Sequence, residues 1–345
     1  MRTDQTFRVT DFILESGTVL PEAVLAYETL GSLSPDGSNA VIYCSHFGAT
    51  HEQCKFLVGA GAPLDPARHF IVLTNLTGNG LSSSPNNTPA PFSGPDFPLI
   101  TVRDNVRLQR ALVDHLEVRR AALVLGHSMG ALQTFEWAAA YPDFVAAALP
   151  FCGAARVSEH NRAFLESMLS ILACDPGYRE GRYDAPPTGA MKAVGRAWAP
   201  WAPTHGFYRQ RAWEALGFDS LQAFLIDYWE ATFASFDANN MVSQIRTWLA
   251  ADIGAHPYYE GFEAALASIT ARTIVMPGAT DAYFPQEDSE FEAAHMPNAE
   301  CRPIPSDWGH WAGSGRNPGD NAFIGDAVRE LLDLAVSHRL DLAQE

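Results

Sequence analysis

Residues 121–142 read AALVLGHSMGALQTFEWAAAYP. An apolar run, residues 121–125, leads into Gly126-His127-Ser128-Met129-Gly130, and a helix-forming stretch follows as far as Tyr141-Pro142. Proline there removes a backbone donor and disfavours helix in the residue before it. A bare G-x-S-x-G is common by chance. Strand, sharp turn and helix around it are the setting of a nucleophile elbow, in which the serine sits in a strained backbone and side chains two positions away on either side would collide with it. The helix that begins after Ser128 also presents free N–H groups at its positive end, so the Met129 amide is a candidate oxyanion donor.

Outward from this stretch, short apolar runs at residues 40–45 (AVIYCS) and 70–74 (FIVLT) are continuous rather than alternating, as in strands covered on both faces; residues 145–151 read as another buried strand, and strand patterns resume at 273–276 and around 301–304. Residues 7–29 alternate apolar and polar around Glu15-Ser16-Gly17 and predict an antiparallel hairpin. Residues 102–116 have helical spacing, and residues 324–340 read as a closing amphipathic helix. Between residues 154 and 268 no strand pattern appears and aromatics are dense, which predicts a helical insertion. The expected fold class is α/β: a mostly parallel sheet with core segments 1–153 and 269–345 and a helical cap, 154–268.

Bulk composition narrows the function. The chain has 345 residues, 47% hydrophobic and 18% charged, enough for a sizeable core. With 23 Lys plus Arg against 40 Asp plus Glu its formal charge is −17, a field that repels a phosphate backbone, so nucleic acid is not an expected partner. Five cysteines, at 44, 54, 152, 174 and 301, form no CxxC pair and suggest neither a disulfide framework nor a zinc site. The N-terminus, MRTDQTFRVTDFILESG, lacks the pattern of a signal peptide, and no run reaches the ~20 apolar residues of a membrane span. The expectation is a cytoplasmic protein acting on a small molecule.

A serine hydroxyl needs a base to take its proton, and the base needs a third group to hold it. His310, in the glycine-bracketed loop Ser306-Asp-Trp-Gly-His-Trp-Ala-Gly-Ser-Gly315, is the candidate base. His127 is excluded because a neighbour in the elbow cannot fold back onto Ser128. Asp281, past the end of the strand-like 273–276, is the candidate acid; Asp307 is the alternative, but a carboxylate so close in a loop is more often a turn former. A second oxyanion amide is expected from Phe47 or Gly48 in the loop after residues 40–45. No metal is expected: His46 and His51 lack HExxH spacing, and no GxGxxG or Walker loop calls for a nucleotide.

Several blocks beyond the elbow now carry a likeness: Gly59-Ala-Gly-Ala-Pro-Leu-Asp-Pro-Ala-Arg-His-Phe-Ile-Val72, Asn75 to Gly80, Gly94-Pro-Asp-Phe-Pro, Phe236-Asp-Ala-Asn239, Thr280-Asp-Ala-Tyr-Phe-Pro285 and Gly309-His310. In these the chain resembles the homoserine O-acetyltransferase family of α/β-hydrolase-fold enzymes. The resemblance implies a Ser128, Asp281, His310 triad, acetyl-CoA as co-substrate, an amino-acid hydroxyl as acceptor and a homodimer formed through the cap. The chain departs from the family at the substrate end. His127 and Ala131 flank the elbow where GGSMGG is usual, Ser235 precedes Phe236-Asp-Ala-Asn239 in place of an arginine, and Asp227 stands in the segment that matches the family's Tyr-Leu-Arg-Tyr-Gln. A buried arginine–carboxylate contact discriminates strongly, so its loss points away from homoserine. The expected function is therefore a serine hydrolase of a small ester, thioester or amide, without a cofactor. Its alternatives are an acetyl-CoA-dependent O-acetyltransferase and a non-catalytic binding protein. Asp227, Trp229, Phe233 and Trp311 are the candidate pocket residues.

Overall fold

A computed structural model describes residues 5–342, with side chains through residue 334. The first two strands, β1 (Gln5–Ile13) and β2 (Val19–Leu30), form the expected antiparallel hairpin. Six more follow: β3 (Ala40–Cys44), β4 (Phe70–Thr74), β5 (Ala121–His127), β6 (Ala147–Phe151), β7 (Arg272–Val275) and β8 (Ala299–Cys301). They make one sheet in the order β1-β2-β4-β3-β5-β6-β7-β8, antiparallel up to the β2–β4 pair and parallel from β4 onward. β5 therefore lies at the centre of the sheet, and the residues that follow it emerge at the carboxyl ends of the parallel strands, where open α/β sheets place ligands.

The continuous apolar runs have a direct cause. Along β3, Ala40, Ile42 and Cys44 enter one apolar cluster while Val41 and Tyr43 enter another on the opposite face, and all five are buried. A strand with both faces covered has no solvent side to mark with polar residues. One cover is built by the helices α1 (Val102–His115) and α2 (Met129–Ala140), through Val106, Val113 and Phe135. The other is the closing helix α7 (Pro318–Leu342), through Ile324, Val328 and Leu331. Thr101 and Asp104 form a reciprocal capping box that fixes where α1 begins.

Between β6 and β7 come α3 (Glu159–Ala173), α4 (Thr188–Trp198) and α5 (Ala238–Leu249), with short helical turns between them and a π-helical turn at Phe224–Glu230. Their aromatic and aliphatic side chains share one cluster with Met129, Leu132, Tyr283, Phe284 and Trp311 of the sheet-bearing part. Two expectations need correction. The last strand is Ala299–Cys301 rather than 301–304, because Pro303 and Pro305 lack donors for a ladder; Ile304 joins only through a bridge to Gly278. A further helix, α6 (Gln286–Ala294), falls in QEDSEFEAA, whose weak apolar pattern hides it.

An ionic group ties the hairpin to the helices. His256, buried, contacts Glu15 of the β1–β2 turn at 3.1 Å and Glu136 of α2 at 3.2 Å, while Arg103 of α1 pairs with Glu136 at 2.7 Å and lies over the Tyr258 ring. Burial alone would lower the imidazole pKa, but hydrogen bonds to Glu136 and Glu15 overcome it and raise the value to about 9. Because that lies above the unfolded value of about 6.5, the stabilisation is complete below pH 6.5 and disappears as pH rises through 9. The melting temperature of His256→Gln should thus fall well below that of the native protein at pH 6, with the gap closing by pH 10. Scanning calorimetry across this range tests it, and a gap that does not shrink would refute the assignment.

Candidate active site

Ser128 has φ 58° and ψ −121°, a backbone conformation that costs on the order of 1–3 kcal/mol and persists only where the surroundings enforce it. The surroundings do so. Its N–H donates to Phe151 O at 3.0 Å, across the β5–β6 pair. A Cβ on Gly126 would stand 2.4 Å from the Gly130 backbone, and one on Gly130 would stand 2.5 Å from Cys44 O, so both positions of the motif are closed to any side chain. The chain thereby turns from β5 into α2 with Ser128 at the junction.

On the far side of the insertion, the loop after β7 brings in Asp281 and the loop after β8 brings in His310. His310 Nδ1 donates to Asp281 Oδ2 at 2.7 Å, and Oδ1 of the same carboxylate accepts the Tyr283 and Phe284 amides at 2.8 and 3.3 Å. The carboxylate is thus held from both oxygens, and the imidazole presents Nε2 as the nitrogen able to take a proton. Asp307, by contrast, is turned to Gln210 Nε2 at 2.7 Å and does not touch His310. Ser128 and His310 line one cavity without a direct hydrogen bond between them among the described residues, a looseness common before substrate binds.

Two amides are candidates to receive an oxyanion. Met129 is the first residue of α2, where N–H groups have no partner inside the helix. Of the two early-loop candidates, the Gly48 N–H already donates to Gln244 Oε1 at 2.8 Å, which leaves Phe47.

The cavity encloses about 400 Å³. Its walls are aromatic: Trp229 stacks on Trp311 with centroids 5.4 Å apart, Phe47 stacks on Trp198 at 5.0 Å, and Phe233 and Trp248 complete the lining. Trp229, Phe233 and Trp311 are in this lining. Asp227 is not: it is exposed, because the π-helical turn directs Tyr228 and Trp229 into the cavity and leaves Asp227 facing solvent. Arg316 lies at the rim, donating to Tyr228 Oη at 2.6 Å with its guanidinium 4.5 Å from the Trp311 ring centroid.

Three imidazoles meet here, His127 lying 4.9 Å from His46 and 4.6 Å from His310 between ring centroids. Burial lowers the pKa of His46 to about 4, against the raising effect of its bond to Phe47 O. Burial, with the charges of His310 and His46, holds His127 well below the usual range. His127 Nε2 donates to the backbone oxygen of His310 at 3.0 Å, which braces the loop that carries the base.

The family described as "alpha/beta hydrolase fold" matches residues 39–314. The chain belongs to the α/β-hydrolase family. It is 36% identical over 303 residues to an ethyl acetate hydrolase of Pseudomonas veronii, with 86% of each chain covered. A homoserine O-acetyltransferase of Trichormus variabilis is 31% identical over 350 residues, covering 96% of this chain and 92% of its own. A solved structure of an acetyl esterase superposes with a TM-score of 0.93 at 33% identity, over 96% of this chain and 97% of that one. The protein is an enzyme of this family, a serine-type acyl-transfer catalyst with both esterases and acetyltransferases among its relatives.

Several α/β-hydrolase site residues were beyond sequence reasoning. Trp198, Phe236, Trp248 and Gln244 come from different helical turns of the insertion, and no local period marks which faces converge on the elbow. Among the described residues a group with ligand-like spacing is Glu28, His51 and Glu52, but Lys55 Nζ lies 2.6 Å from Glu28 and 2.8 Å from Glu52, so an ammonium occupies that corner. The elbow makes a direct prediction. Gly130→Ala must displace backbone rather than a flexible side chain, and its melting temperature should fall by on the order of 5 °C or the soluble yield should collapse; a variant with native stability would show that the close approach to Cys44 is not obligatory.

Proposed function

We propose that the enzyme hydrolyses small acyl esters through an acyl-Ser128 intermediate, with the insertion, residues 154–268, serving as a cap. The observation that carries the reading is the Asp281-held imidazole of His310 in the same cavity as a serine strained at a helix N-terminus. Ser128 Oγ attacks the ester carbonyl carbon while His310 Nε2 takes the hydroxyl proton, and the carbonyl oxygen becomes an oxyanion received by the Met129 and Phe47 amides. Collapse breaks the bond to the leaving alkoxide, which recovers the proton from His310. Water then attacks the acyl-serine, His310 takes its proton, and the carboxylic acid departs as the proton returns to Ser128 Oγ. Asp281 holds the ring through Nδ1 and stabilises the imidazolium.

The size and apolarity of the cavity support a small ester, since about 400 Å³ lies at the low end of ligand sites. The higher identity to an ethyl acetate hydrolase than to a homoserine O-acetyltransferase, 36% against 31%, supports water over an amino-acid hydroxyl as the usual acceptor. Acetyl transfer from acetyl-CoA is the second reading, and Arg316 at the rim, the cationic side chain in the cavity lining, is the observation in its favour. A cytoplasmic setting and a homodimer through the cap belong to the same proposal, supported by five unpaired cysteines and by Leu221 and Ile226, 42% and 41% exposed on the insertion. No described helix is long and apolar enough to cross a membrane.

Fluorophosphonate labelling should vanish in Ser128→Ala, and Asp281→Asn should lower kcat about 10⁴-fold while Asp307→Asn leaves it within a few-fold. A damaging Asp307→Asn beside an active Asp281→Asn would reverse the assignment of the acid. With ethyl acetate or acetyl-CoA as donor, free acetate should form at a rate that added homoserine does not change; efficient O-acetylation with little acetate would replace the hydrolase reading by the transferase.

A further inference from the structure

The loop that offers Phe47 is held from the insertion. Gly48 has φ +65°, and its N–H donates 2.8 Å to Oε1 of Gln244, a side chain on α5 that is 2% exposed. The carboxamide is itself fixed: Nε2 reaches Thr77 O at 3.5 Å, and a Cβ added to Gly78 would stand 3.0 Å from its Cγ. On the other side of Gly48, a Cβ would meet Phe236 Cζ at 2.8 Å, so the turn packs on a second residue of the insertion. The helix that carries Gln244 is anchored independently to the sheet-bearing part, by Thr247 Oγ1 to Ile100 O at 2.7 Å and by the Asn86 amide to Asn240 Oδ1 at 3.2 Å.

From this geometry we infer that Gln244 is a positioning residue for the oxyanion hole: it fixes the Phe47–Gly48 peptide so that the Phe47 amide, one residue earlier, faces the reacting carbonyl. Two physical effects combine. Oxyanion donors stabilise charge in proportion to how little they must reorganise as it develops, and a hydrogen bond on the adjacent amide removes the peptide rotation that would turn Phe47 N–H away. Gln244 also occupies the Gly48 donor at 2.8 Å from a side chain that is itself buried and fixed, so the acceptor does not wander. The cap is then part of the catalytic electrostatics as well as the wall of the pocket. The contact acts on the transition state and not on the ground-state ester, so its loss belongs in kcat.

The inference rests on the acyl-Ser128 reading. Gln244→Met keeps the length and packing of the side chain and removes the acceptor. For hydrolysis of p-nitrophenyl acetate we expect kcat to fall about 10- to 100-fold with KM within about twofold, and inhibition by a phenylboronic acid, whose tetrahedral Ser128 adduct carries the oxyanion, to weaken by a similar factor. Thr247→Val loosens the same helix away from Gly48; it should lower the melting temperature while leaving kcat within about twofold. Should Gln244→Met fail to fold, Gln244→Asn withdraws the acceptor by one methylene and is expected to give the same kcat loss. An unchanged kcat, a loss confined to KM, or an equal kcat loss in Thr247→Val would overturn the inference. Full activity of Ser128→Ala would instead overturn the reading beneath it, so the two failures are distinguishable.

Discussion

Everything in the site depends on how closely the backbone at Gly130 approaches the carbonyl of Cys44. That contact seats the first turn of α2 against the end of β3, and it is possible only because residue 130 has no Cβ. It determines where the helix N-terminus points, and hence where the Met129 amide stands. It also brings the end of β3, from which the His46–Ala49 loop departs, beside the elbow. Strain at Ser128 is the local cost, and the hydrogen bonds of a central strand buried on both faces offset it.

A second layer of organisation comes from the insertion. Its residues do not rest on the sheet-bearing part as a loose flap; they share an apolar cluster with Met129, Leu132, Tyr283, Phe284 and Trp311. Tyr283 packs edge-on against His310 at 4.7 Å, and its backbone amide bonds the carboxylate that holds that histidine. The packing of the roof and the orientation of the base are consequently parts of one cooperative body. His127 contributes from below, bracing His310 through its backbone while remaining neutral itself.

Much of this was legible in the sequence because it is local or ordered along the chain. The elbow announces itself by glycine spacing between a strand run and a helix run, and the β3, β4 and β5 runs are recognisable because two covered faces leave no polar alternation. Asp281 and His310 could be chosen by their places after late strand signals. What escaped was set by tertiary convergence. Whether Phe47 or Gly48 is free to offer its amide depends on Gln244, almost two hundred residues away, and Asp227, chosen for its place in the segment matching Tyr-Leu-Arg-Tyr-Gln, falls on the solvent side of a π-helical turn that such a match does not reveal. Helix α6 was hidden by its mostly polar composition, since only a narrow strip of it, including Glu292 and Ala293, is buried.

The aromatic walls described above have a consequence for changing what the enzyme accepts. Trp198, Trp229, Phe233 and Trp248 bound the cavity and are also, each at least 95% buried, the main mass of the core that holds the insertion together. Enlarging the cavity by shrinking one of them opens a void in that core, at a cost of about 3–5 kcal/mol for a buried aromatic reduced to alanine. Selectivity and foldability are therefore written in the same side chains, and a variant able to admit a bulkier acyl group has to regain stability elsewhere before it can show a new preference.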